Sequence, residues 1–179
     1  MARYAMVIDT KRCVGCHACV ITCYMENNVP EGFTRDWIVE VVEGEFPDLR
    51  SEIRTERCNH CENPPCVFVC PCGASYKDKD TGIVLVHHDK CSGCKACIAA
   101  CPYDARFINP IGYADKCTFC DHRVKLGKTT ACAQTCPTSA INFGNLDDPA
   151  SKLHKLMNGR IVKTMKPEAG TGPNIFYLL

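Results

Sequence analysis

The chain has 179 residues, with 21 Lys and Arg against 20 Asp and Glu, and 17 cysteines. Near-neutral charge excludes the polybasic surface that nucleic acid or an anionic bilayer would need, and no apolar run reaches the roughly 18 residues of a spanning helix. With the cysteines set aside, the apolar fraction falls from 46% to about 36%, below the usual share for a globular chain.

The interior therefore needs something besides side chains, and the cysteines indicate what. If inorganic groups replace part of the core, metal binding becomes folding free energy, and the metal-free chain is expected to be largely unfolded.

In chain order, the opening Met1–Asp9 has neither a twin arginine nor the apolar centre of an export signal. Its Val7-Ile8 segment reads as a short strand that leads through Lys11-Arg12 into a first group of thiols, Cys13, Cys16, Cys19 and Cys23. Residues 24–57 form the longest insertion. Strand-like runs there cover Trp37–Val42 and Glu52–Thr55, and Asn27-Asn28, Pro30, Gly32 and Gly44 break the rest into loops. Trp37 reads as a core or subunit-contact aromatic.

The second group is Cys58, Cys61, Cys66 and Cys70, with a wider gap between Cys61 and Cys66. Ser75–Asp89 reads as a β-hairpin turning at Lys77–Gly82, with Ile83–Val86 as the return strand and His87 and His88 as surface residues. The third group, Cys91, Cys94, Cys97 and Cys101 followed by Pro102, has the spacing C-x2-C-x2-C-x3-C-P. The fourth is Cys117, Cys120, Cys132 and Cys136, with a basic excursion through His122, Arg123, Lys125 and Lys128 that faces a partner, tunes a cluster or is simply solvated.

Cys70, Cys101 and Cys136 each open a C-P-x-x-A stretch, and proline there ends a helical turn because the residue before it avoids αR. The implied repeat is strand, thiol loop, short helix, strand. Beyond Phe143, Asp148 is expected to N-cap a short helix bearing Leu153, Leu156 and Met157, with Pro149 at its first position and Gly159 just past its end. A last strand is expected over Arg160–Met165. The apolar end, Ile175–Leu179, is expected to dock on this subunit or a neighbour.

The third group's spacing is an iron-sulfur signature in which the last cysteine ligates a second cluster. Sixteen of the 17 thiols fall into four groups of four, and a protein-held cubane takes four thiolates, so the inventory is four 4Fe-4S clusters. Each oxidised cluster with its thiolates carries two negative charges, taking the formal charge from +1 to about −7. Lys11, Arg12, Arg57, Lys90, Lys95 and Lys116 lie beside or within the groups, either offsetting that charge or simply solvated.

Structural zinc usually takes two cysteine pairs across a longer loop, which this packing does not resemble. Cys72 is left over and reads as a small buried residue near a cluster. Nucleotide-binding glycine loops and a nucleophile elbow are missing from the sequence. Saturated clusters transfer single electrons, so the chain reads as a conduit and not as an enzyme by itself. A soluble polyferredoxin serving a hydrogenase or other cytoplasmic oxidoreductase, stable as a monomer with its tail folded back, is the main rival. A metal module for nucleic acid is a lesser one.

These motifs resemble the four-cluster subunit of the complex iron-sulfur molybdoenzymes (the dimethyl sulfoxide reductase family), most closely its polysulfide reductase branch. The likeness lies in Arg3-Tyr-Ala-Met-Val-Ile-Asp9 with Cys13-Val-Gly-Cys16, and in Cys61-Glu-Asn-Pro-Pro-Cys66-Val67. It continues through Ala99–Arg106, Lys116–Arg123 and the Gly170-Thr-Gly-Pro…Phe176-Tyr-Leu tail.

The resemblance implies that Cys13, Cys16 and Cys19 share a cluster with Cys136, and Cys117, Cys120 and Cys132 share one with Cys23. It likewise joins Cys58, Cys61 and Cys66 to Cys101, and Cys91, Cys94 and Cys97 to Cys70, all as 4Fe-4S clusters. The implied fold is α+β, with tandem bacterial-ferredoxin-like modules of short strands and helices around the clusters, plus loop-rich insertions. Residues 1–23 with 102–146 would form one module and 58–101 the other, with 24–57 an insertion and 147–179 a C-terminal helix and docking tail.

Implied partners are a molybdopterin catalytic subunit holding molybdenum or tungsten and a quinone-binding membrane anchor. The implied location is the membrane, through those partners, on the periplasmic face after folded co-export, with the cytoplasm as the alternative.

Overall fold

A computed structural model of the chain describes residues 2–179. In order it forms β1 (Tyr4–Asp9), α1 (Ala18–Glu26), β2 (Asp36–Glu43), β3 (Arg50–Arg57), α2 (Pro65–Phe68), β4 (Ser75–Lys77) and β5 (Val84–Val86). Then follow α3 (Ala96–Ala99), β6 (Phe107–Ile108), β7 (Ala114–Asp115), α4 (Asp121–Val124) and α5 (Ala131–Thr135). The chain closes with β8 (Ile141–Asn145), α6 (Lys152–Met157), β9 (Val162–Lys163) and β10 (Ile175–Leu178). One sheet has the order β8-β1-β10-β9, and the other strands pair as three ribbons, β2-β3, β4-β5 and β6-β7. This mixture of short helices and mainly antiparallel strands is α+β.

β1 lies between β8, antiparallel, and β10, parallel. A strand covered on both faces needs apolar residues at every position, and Ala5-Met6-Val7-Ile8 supplies a fully buried run. Alternation divides their partners. Ala5 and Val7 pack with Leu153 and Leu178, whereas Met6 and Ile8 join Cys19, Cys58, Cys117, Cys132 and Phe119 in the main core. The strand thus anchors the thiol region from one side and starts its first loop directly, with Cys13 N donating to Asp9 O at 3.2 Å.

The apolar tail docks on its own chain, as β10. Thr10 Oγ1 donates to Leu178 O at 2.9 Å, and Tyr177 Oη donates to Thr55 O at 3.2 Å. The strand expected over Arg160–Met165 shrinks to Val162–Lys163. Its flanks are drawn elsewhere: Arg160 Nη2 donates to Asp9 Oδ1 at 3.2 Å, and Lys166 Nζ donates to Pro102 O. The cap of α6 also differs from expectation. Ser151 Oγ accepts from Leu153 N at 3.4 Å, while Asp148 accepts from Ala150 N at 2.9 Å in an Asx turn that precedes the helix.

The insertion is a hairpin longer than its apolar runs, pairing from Asp36 opposite Arg57 to Glu43 opposite Arg50. Trp37 is half-buried at its base, against the main core. The hairpin expected over Ser75–Asp89 is present, with Ser75 opposite Val86. His87 and His88 beyond it are exposed and stack on Tyr76 and Tyr113 at 4.1 and 3.8 Å. Ribbons this short are marginal alone, and the thiol groups lie between them.

Candidate metal centres

All four thiol loops use the same backbone device. The residue immediately before the second cysteine has positive φ in each: Gly15 at 64°, His60 at 42°, Gly93 at 67° and Phe119 at 52°. A left-handed residue there reverses the chain so that successive thiols turn to a common centre. At Gly93 the need is absolute, because a Cβ would stand 2.6 Å from Gly112 O. The C-P-x-x-A stretches repeat a second device, with Gly73 at 61°, Asp104 at 52° and Ser139 at 52°. Amides then meet sulfurs: Ser75 N donates to Cys70 Sγ, Ala140 N to Cys136 Sγ and Ala114 N to Cys91 Sγ, each at 3.3 Å.

The structure gathers the thiols across groups. Cys13, Cys16 and Cys19 line a cavity with Cys136. Cys58, Cys61 and Cys66 line another with Cys101. Cys91, Cys94 and Cys97 line a third with Cys70. Cys117, Cys120, Cys132 and Cys23 are all buried. Asn27 Nδ2 reaches both Cys23 Sγ at 3.5 Å and Cys120 Sγ at 4.0 Å, and Cys23 feels the charge of Cys117 and Cys132. Among the described residues, no three His, Cys, Asp or Glu side chains converge closely enough for a single ion.

The sets stand in file. Thr55 and Arg57 link Cys19 to Cys132, Cys117 and Cys58 share the main core, and Cys66 packs with Cys97. The order is therefore Cys13 set, Cys117 set, Cys58 set, Cys91 set. Cys16 and Cys94, at the two ends, are exposed.

Burial pushes the inner thiols up, Cys117 and Cys61 each to about 12 and Cys23 further. Such thiols ionise at neutral pH only against an added positive charge, which a metal centre supplies. Cations are already present beside them. Arg57 Nη1 donates to Cys132 Sγ at 2.9 Å, and Arg106 Nη2 donates to Cys66 Sγ at 2.9 Å. Lys116 is 1% exposed and donates to Val84 O and Cys117 O. Burial draws Lys116 below its usual value, while the Cys58, Cys117 and Cys66 thiolates oppose that shift.

Arg57 has Asp36 as an ion-pair partner. Among the described residues, Lys116 and Arg106 have no carboxylate partner, and Arg57 Nε and Arg106 Nη1 lack any hydrogen-bond partner. Buried cations without anions cost several kcal/mol each. Anionic iron-sulfur clusters on the adjoining thiols would supply what is missing.

The solvated reading thus fails for Arg57 and Lys116 and holds for Lys11, Arg12, Lys90 and Lys95, which are exposed. Cys72 is exposed, not buried. Its Sγ lies 3.8 Å from Cys70 Sγ at the rim of the last cavity. The basic excursion is largely neutralised, with Arg123 Nη1 and His122 Nε2 reaching Glu26 at 2.9 and 2.8 Å and Lys125 reaching Asp121 at 2.7 Å. An open groove between the β2-β3 hairpin and Tyr103–Phe107 is lined by no cysteine.

Comparison with known proteins agrees with this chemistry. Residues 49–146 match a family described as a 4Fe-4S dicluster domain. The chain is 48% identical to the Haemophilus influenzae protein NrfC homolog, over 98% of this chain and 80% of that one. It is 43% identical to a tetrathionate reductase subunit of Salmonella typhimurium, over 98% and 72%. It is 36% identical to the arsenate respiratory reductase iron-sulfur subunit ArrB of Shewanella, over 98% and 96%. Among the described residues no helix is long and apolar enough to cross a membrane. With its thiols grouped for 4Fe-4S clusters, the chain belongs to the family of iron-sulfur subunits of the molybdoenzyme reductases.

Proposed function

We propose that this subunit carries four 4Fe-4S clusters and relays single electrons between a quinone-reactive membrane subunit and a molybdopterin catalytic subunit. The observation that carries the reading is the file of four thiol sets, each drawn from two sequence groups and ending in exposed cysteines. The ligand sets would be Cys13, Cys16, Cys19 and Cys136; Cys117, Cys120, Cys132 and Cys23; Cys58, Cys61, Cys66 and Cys101; Cys91, Cys94, Cys97 and Cys70. Residues 1–23 with 102–146 and residues 58–101 would then be two ferredoxin-like modules, with 24–57 inserted and 147–179 closing the first. When bound, such clusters take up and release one electron at a time without breaking a bond.

The chain's own contribution is to hold, shield and tune. β1, α1 and α5 fix the first two sets, and the short ribbons fix the other two. Exposed apolar residues flank both ends of the file: Val14, Ile21 and Met25 near the first set, Phe68, Val69 and Ile111 near the last. We assign these faces to the two partners. The relatives are named for tetrathionate, arsenate and selenate reductases. A sulfur oxyanion or polysulfide is our assignment for the terminal acceptor, and the periplasmic face our assignment for the complex.

One observation favours the soluble polyferredoxin, namely the tail folded back on its own chain. Native purification from anaerobic cells decides between them. The relay reading expects co-elution with a large chain containing molybdenum or tungsten and pterin, and cluster reduction by a quinol in membranes. A monomer that carries its iron alone and ignores quinol would overturn it.

A further inference from the structure

The sixteen thiols are treated unequally. The two inner sets, Cys117 with Cys23 and Cys58 with Cys101, adjoin Arg57, Lys116 and Arg106, which are 2%, 1% and 6% exposed. The basic residues near the outer sets, Lys11, Arg12, Lys90 and Lys95, all lie in solvent. Water screens an exposed charge, whereas a buried one acts at close to full strength on its neighbours.

The three cations also have distinct addresses. Arg57 touches Cys132, of the Cys117 set. Arg106 touches Cys66, lines the cavity of the Cys58 set and also faces Cys97 of the Cys91 set. Lys116 lies between the two sets, its Nζ donating to Cys117 O and to the carbonyl of Val84, which lines the cavity of the Cys58 set. Asp36 offsets part of the charge of Arg57, but Lys116 and Arg106 have no carboxylate partner among the described residues.

We propose that Arg57, Lys116 and Arg106 form a buried cationic block that raises the reduction potentials of the two inner clusters more than those of the outer two. This rests on the four-cluster reading. A cluster gains one negative charge and no proton when it takes an electron, so a fixed cation nearby favours the reduced form. An N–H donated to a ligand sulfur acts in the same direction. Lys116, shared between neighbours, also lessens the repulsion that an electron on one inner cluster exerts on the other.

The test is an EPR-monitored redox titration of the anaerobically prepared holoprotein with dithionite, after iron counting. Arg106→Gln is expected to move one cluster signal so that its reduced-to-oxidised ratio at fixed potential falls about tenfold, a downward shift of about 59 mV for one electron. Lys116→Met is expected to move two signals, one of them the signal moved by Arg106→Gln. The other two signals move by much less in both variants. Arg106→Lys, which keeps the charge and loses the fork, is expected to recover at least about half of the shift.

Movement of no signal, or of all four alike, overturns the proposal. If Arg106→Gln fails to load iron while Arg106→Lys loads fully, charge is what the site needs and the block stands. If neither variant loads, Lys116→Met decides by its two signals, and its failure to load beside a fully loading Lys116→Arg is again a need for charge. Failure of both Lys116 variants as well overturns the tuning role in favour of a purely structural one. Wild-type iron well below sixteen atoms would instead defeat the four-cluster reading beneath it.

Discussion

Met6, near the start of the chain, faces Ile175, near its end, in parallel register across β1 and β10. Both are fully buried in the core that also contains Cys19, Cys58, Cys117 and Cys132. The tail is therefore a wall of the cluster compartment. Ile175→Ala is expected to cost about 2–5 kcal/mol by leaving a cavity there. Tyr177→Phe, which removes the donor to Thr55 O, is expected to cost about 1 kcal/mol. Anaerobic urea denaturation followed by cluster absorbance measures both, and an Ile175→Ala midpoint equal to wild type would show the tail to be dispensable.

Glu26 ties α1 to the basic excursion. Its carboxyl is held below the usual range chiefly by the hydrogen bond from His122, with Arg123 adding charge and a second bond. A depressed carboxylate contributes stability above its ordinary value of about 4.3, and loses that contribution as pH falls through the lower folded value. The pair is partly solvated, so Glu26→Gln is expected to cost about 0.2–1 kcal/mol at pH 7, less at high salt. Thermal unfolding of variant and wild type at pH 7 and near pH 4 checks the sign: the gap must narrow in acid.

Ligand exchange between groups makes a distinctive prediction. Cys101→Ala and Cys61→Ala should abolish the same EPR signal, and Cys97→Ala a different one, each with loss of up to about four iron atoms. Cys72→Ser should leave iron unchanged, since Cys72 is exposed at the rim of its cavity and outside the four sets. Separate signals for Cys101 and Cys61 would refute the exchange.

Removing the metal should remove the fold. The ribbons β4-β5 and β6-β7 have three and two residues per strand, and the buried Lys116 and Arg106 would lose their counter-charge. Anaerobic chelation is expected to abolish most of the far-ultraviolet dichroism, and a metal-free chain with native dichroism would contradict this.

The cysteine spacing made the centres legible, because four thiols at fixed intervals on short loops leave few other chemistries. The left-handed turns were less so. Gly15 and Gly93 advertise themselves, but His60, Phe119, Asp104 and Ser139 adopt positive φ with ordinary side chains, and only the repeat of position relative to cysteine could have marked them. Burial of the cations was not readable at all. Arg12, Arg57, Lys90 and Lys116 each stand directly before a first cysteine, yet two are exposed and two fully buried, since their fate depends on neighbours distant in sequence. Similarly, Ile175–Leu178 has no pattern of its own because its partner strand lies at the opposite end of the chain.

The most direct test of the account is elemental: iron and acid-labile sulfide per polypeptide in anaerobically purified protein, with zinc measured alongside. Four cubanes predict about sixteen of each and negligible zinc. About eight iron atoms, or zinc in place of iron, would contradict it.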